Sequence, residues 1–139
     1  MSDSARIQRF TKDAALIKSK ALPAAAAANA TDALDLGAVE PGQMVNAFDV
    51  LVELPATPSL VDAKTVTLQV KDSDDGVTFA AIDTLAPVVV TGAGGVGAAA
   101  ISKTFKLPPT VRRYLRLDQA VLAAGGDNTA ISGSLSLVF

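Results

Sequence analysis

The stretch from Lys64 to Asp83, KTVTLQVKDSDDGVTFAAID, constrains the chain more than any other. Val66, Leu68 and Val70 alternate with Thr65, Thr67 and Gln69, the two-residue period of a strand with one face buried. Asp74, Asp75 and Gly76 then reverse the chain, since glycine reaches positive φ without a Cβ clash and Asp-Gly favours a tight turn. Val77, Phe79 and Ala81 resume the alternation. The stretch therefore predicts a hairpin, and with it an antiparallel β protein. Nothing in it carries chemistry.

The same period recurs elsewhere. Strands are expected around 33–36, 44–54, 64–71, 77–83, 87–91, 100–107, 111–121 and 130–139, with turn signals between them. Met44, Phe48, Val50, Val52 and Leu54 share a face, and Pro55 and Pro58 end that strand because proline cannot donate to a ladder. In the last strand Ile131, Leu135, Leu137 and Phe139 face in while Ser132, Ser134 and Ser136 face out. After Thr31 no helical pattern separates the strands, which disfavours a parallel α/β sheet. The expected fold is all-β, an eight-stranded antiparallel jelly-roll sandwich with an N-terminal arm.

Residues 1–30 read as that arm with an alanine-rich strap, and 31–139 as the sandwich. Arg6, Arg9, Lys12, Lys18 and Lys20 supply five of the twelve basic residues. Ile7, Phe10, Ala14 and Ile17 recur at helical spacing, which fits either a short amphipathic helix docking on an acidic partner surface or a frayed, solvated terminus. Ala21 to Ala30 loosely imitates a signal peptide, but its apolar part is nearly all alanine and contains Pro23, so a linker or extended strap is the better reading.

Several chemistries are excluded or weakened by the residues present. The 139 residues include no cysteine and no histidine, which removes disulfides, thiolate chemistry, His-dependent triads and the commonest metal ligand. A net charge of −2 gives no reason to expect nucleic-acid binding, and no apolar run is long enough for a spanning helix. Gly92, Gly94 and Gly97 match the spacing of a dinucleotide loop, but Ile101, Phe105 and Leu107 continue as a strand where that site needs a helix. Asp72 to Gly76 resembles the opening of a calcium loop, yet Asp83 stands where its closing glutamate belongs and strands flank it, so a β-turn is expected. Arg112, Arg113 and Arg116 form a basic edge, suited to phosphate or carboxylate or else to a solvated strand face. No catalytic residue, cofactor site or metal site is expected, and an enzyme is not.

Three segments together resemble the small capsid cement, or decoration, proteins of tailed bacteriophages: TVTLQVKDSDDGVTF (Thr65 to Phe79), KLPPTVRRYLRL (Lys106 to Leu117) and the serine-spaced final strand. ALDLG (Ala33 to Gly37) and FTKDA (Phe10 to Ala14) fit the same layout. The resemblance implies a virion protein on the outer surface of the capsid, made in the host cytoplasm, that stabilises contacts between major capsid subunits. Its implied partners are the major capsid protein and itself, as a dimer or trimer, with no nucleic acid, membrane or small-molecule substrate. The residues expected at the capsid contact, on physical grounds, are Arg6, Ile7, Arg9, Phe10, Arg112, Arg113 and Arg116. Two alternatives stand beside it: a carbohydrate-binding sandwich, for which Tyr114 is the sole tyrosine and no tryptophan exists, or a head-tail or tail subunit.

Overall fold

In the computed structural model, which describes residues 12–36, 49–108 and 110–138, ten strands follow one another without a helix. They are β1 (Lys12–Ala21), β2 (Ala28–Ala30), β3 (Leu34–Asp35), β4 (Asp49–Leu54), β5 (Thr65–Ser73), β6 (Ala80–Ala81), β7 (Val88–Thr91), β8 (Ile101–Lys106), β9 (Tyr114–Val121) and β10 (Ser132–Val138). One sheet has the order β1-β10-β4-β8; the other runs β2-β9-β5-β6, with β3 also on β9 and β7 also on β5. Every named pairing is antiparallel.

Alternation explains the core. Val50, Val52 and Leu54 of β4 and Leu135 and Leu137 of β10 face Val66, Leu68, Val70, Leu115 and Leu117 of the other sheet, and all are buried. β5 and β9 pair over eight positions, from Val66↔Val121 to Ser73↔Tyr114, and form the spine of that second sheet. One polar side chain crosses the layer between the sheets. Gln119 of β9 is 1 % exposed, and its Nε2 donates to Asn29 Oδ1 at 2.9 Å and to the carbonyls of Lys20 at 3.2 Å and Ala21 at 3.4 Å. Asn29 Nδ2 donates to the same Ala21 carbonyl at 2.9 Å. Gly133 leaves the room this needs: a Cβ there would lie 2.2 Å from Gln119 Oε1.

Three expectations are corrected. The strands number ten rather than eight, because β1 and β2 lie in the stretch read as arm and strap. β1 pairs with β10 and β2 with β9, so residues 12–30 are sheet, and the helical spacing that reaches Ala14 and Ile17 ends in a strand. The strand expected at 77–83 shrinks to β6. Asp75 Oδ1 accepts the N–H groups of Val77 and Thr78, which holds the chain in a turn and leaves Val77 78 % exposed. Met44, Phe48 and Phe139 lie outside the described residues.

Both edges of the first sheet carry lysine on the core-facing side. Residues directly opposite in an antiparallel pair share a face. Lys18 sits opposite buried Leu135 and Lys20 opposite Gly133, while at the other edge Lys103 sits opposite buried Val52. Inward charge on an edge strand opposes its growth into another sheet.

Candidate functional site

Arg112 and Arg113 precede β9, and Arg116 lies within it; Asp35, Asp72 and Asp118 come beside them from β3, β5 and β9 itself. The three guanidinium groups are brought together at one end of the second sheet, and each is already taken. Arg112 holds Asp72 from Nε at 3.0 Å and Nη2 at 2.8 Å, donates from Nη2 to the Asp72 carbonyl at 2.8 Å, and its backbone N–H reaches the same carboxylate. Arg113 forks onto Asp35 at 2.8 and 3.0 Å, and Arg116 onto Asp118 at 2.7 and 3.3 Å. Lys71 Nζ also reaches Asp118, at 3.0 Å. The guanidinium of Arg112 is held above its ordinary pKa, first by its hydrogen bonds to Asp72, and that of Arg113 by those to Asp35.

This set of charges is balanced: Lys71, Arg112, Arg113 and Arg116 face Asp35, Asp72, Asp74 and Asp118. A free anion would have to displace bidentate carboxylates to bind, so the cluster braces β3, β5 and β9 instead. The rings follow suit. Arg116 lies over Phe79 at 4.3 Å and Arg113 over Tyr114 at 5.1 Å, and a Cβ added at Gly76 would lie 3.6 Å from the Tyr114 ring. Arg6, Ile7, Arg9 and Phe10 lie outside the described residues.

The two motifs set aside from sequence are structural where they are described. The Asp72 to Gly76 turn closes on itself: Ser73 Oγ donates to Asp75 Oδ1 at 2.8 Å and accepts from the N–H groups of Asp75 and Gly76. The N–H groups of Val77 and Thr78, then Ser73, lower the Asp75 pKa to about 2. The glycine segment turns between β7 and β8 with no helix after it. Its Gly95 N–H donates to Asp62 Oδ1 at 2.9 Å, and a Cβ on Gly97 would lie 1.9 Å from the Thr57 carbonyl oxygen. Among the described residues no three His, Cys, Asp or Glu side chains converge as metal ligands.

A surface that the sequence reading did not single out lies at the opposite end. The connections 55–64, 92–100 and 122–131 meet there and carry Asp62, Lys64 and Asp127 as their charged residues. Val61, Val96 and Leu122 are exposed on them, Val96 at 75 %. The loops are tied to one another: Thr57 exchanges two backbone hydrogen bonds with Ala98, Val61 donates to Gly125, and Asn128 Nδ2 donates to the Gly125 carbonyl. Exposed aliphatic side chains on hydrogen-bonded, nearly uncharged loops form a contact surface with fixed shape. The signal in sequence is the scarcity of charge in all three connections, which only the fold brings to one end.

No helix of the described residues is long and apolar enough to cross a membrane. No protein-family model and no curated protein matches the chain. Among solved structures the chain is similar to the PBSX exported protein XepA, with a TM-score of 0.54 and 19 % identity over 86 % of this chain and 34 % of that one. The chain thus spans about a third of that protein's length, and what the two share is the β-sandwich fold.

Proposed function

We propose that the chain is a structural protein of a bacteriophage particle: a capsid cement protein that binds the outside of the head and stabilises contacts between major capsid subunits. The observation that carries this is the division of the sandwich into a braced, self-neutralised charged end and a rigid, nearly uncharged end with exposed aliphatic side chains. Such a molecule is equipped to adhere. Among the described residues no assembled group is able to turn over a substrate, and we infer that the chain is not an enzyme.

Strand order supports the jelly-roll form of this reading. β2 and β3 both pair with β9 and can be taken as one interrupted strand, with β6 as part of the β5–β7 connection. Renumbered so, the sheets run 1-8-3-6 and 2-7-4-5, the order of a jelly roll. The similar XepA structure belongs to a phage-related β protein, which agrees with a phage origin. A sugar-binding module is less well supported, since the half-buried Tyr114 ring is the sole tyrosine and already has the Arg113 guanidinium over it at 5.1 Å.

Attachment in this proposal uses the uncharged end and the basic arm with Arg6, Ile7, Arg9 and Phe10, while Arg112, Arg113 and Arg116 serve as internal braces. The partners are the major capsid protein and further copies of the chain. Binding across subunit boundaries stabilises the assembled lattice by mass action. The test is the ratio of this protein to major capsid protein in purified particles, measured together with the heat stability of the heads. A ratio on the order of one to one, lost along with stability when the protein is stripped, supports cement, since mass action needs the lattice occupied. A handful of copies assigns it to the tail or connector, and none overturns a virion role.

A further inference from the structure

We propose that residues 12–19 of β1 open from β10 as a unit, pivoting at Lys20 and Ala21, while the rest of the sandwich stays folded. β1 is an edge strand, and over 17–21 its side chains give it little hold. At 17–21 four of the five residues are exposed and none is buried. The two core-facing positions among them are lysines, opposite Leu135 and Gly133, where β4, β5, β9 and β10 place apolar side chains. Ile17 lies on the opposite, outward face. The register is also broken: from Lys12↔Val138 to Ile17↔Ser136, five steps along β1 match two along β10. What holds this part of β1 is therefore main-chain pairing, without the packing that makes such pairing cooperative.

Attachment changes abruptly at the strand's end. The carbonyls of Lys20 and Ala21 accept from Gln119 and Asn29, Leu22 N–H donates to the Ile131 carbonyl at 2.8 Å, and Leu22 is buried at 2 % exposure. Opening thus stops at a built anchor. It frees the main-chain groups of the β10 edge for another strand. This inference does not rest on the capsid reading, and its test needs no capsid.

Amide hydrogen exchange of the full chain, resolved by residue, tests it. The amides of 17–19, and those β10 amides that point to β1, are expected to exchange at a common rate at least about tenfold faster than amides of β9. A second measurement uses Ile17→Cys/Ser136→Cys, a cross-strand pair in a chain with no other cysteine. Oxidation is expected to slow β1 exchange to the rate of the β10–β4 ladder, and reduction to restore it. Exchange of β1 together with β9, or a smooth gradient of rates along 12–21, overturns the proposal. So does a formed disulfide that leaves the β1 rates unchanged. If the double variant does not fold, the native rates decide alone.

Discussion

Replacing Gln119 by alanine tests the clamp between the sheets. The side chain is 1 % exposed and donates two good hydrogen bonds, at 2.9 and 3.2 Å. At about 1 kcal/mol net each, and about 1 kcal/mol more for the buried methylenes and the space left behind, Gln119→Ala costs about 3 kcal/mol. For a domain of this size that lowers Tm by about 10 °C. Gly133→Ala is expected to destabilise as well, because its new methyl lies 2.2 Å from Gln119 Oε1. The two changes must couple. In the double variant the methyl enters space that the amide has vacated, so the combined loss falls short of the sum by at least about 1 kcal/mol. Urea unfolding of the four proteins measures this directly. If the two costs add to within about 0.5 kcal/mol, the steric reasoning about Gly133 is wrong.

Arg112→Ala is expected to destabilise more than Arg113→Ala, because it strands the Asp72 carboxylate, 10 % exposed, whereas Asp35 is 45 % exposed and can turn to water; thermal melts of the two variants decide it. Gly97→Ala, at φ +73° with its Cβ 1.9 Å from the Thr57 carbonyl, is expected to cost at least about 2 kcal/mol, against about 1 kcal/mol for Gly95→Ala, which has the same sign of φ but open space. Equal losses in denaturant titrations would count against a rigid loop. Asp75, with its pKa lowered from 3.8 to about 2, contributes stability that is fully present above about pH 4 and is lost as the pH falls towards 2. Asp75→Asn is therefore expected to be the less stable protein at pH 6 and to close that gap between pH 4 and 2. A gap independent of pH would show that the carboxylate's charge does not hold the turn.

Much of the sandwich was legible because its strands keep one rule. β4, β5, β9 and the inner half of β10 place valine or leucine at alternate positions, interrupted only by Asp72 and Gln119, and each of these residues proved buried. β1 broke the rule with Lys18 and Lys20 where apolar residues belong, and β2 offered only Ala28, Asn29 and Ala30, so neither had a period to read. At 77–83 the alternation was present and misled. Two backbone N–H groups bound to Asp75 outweighed the weak strand preference of Val77 and Phe79. The arginine cluster could be located from sequence. Its partners could not, because Asp35 and Asp72 lie far along the chain and meet Arg113 and Arg112 only through the pairing of β3 and β5 with β9.

The lysines on the inner side of both edges, Lys18 and Lys20 on β1 and Lys103 on β8, set an upper limit on how this sheet can polymerise. An incoming strand would have to seat its apolar face beside a lysine ammonium. Nucleation of a run-on sheet is therefore disfavoured at either border while β1 stays paired with β10. Assembly then begins from another surface, or from the β10 edge once β1 has opened.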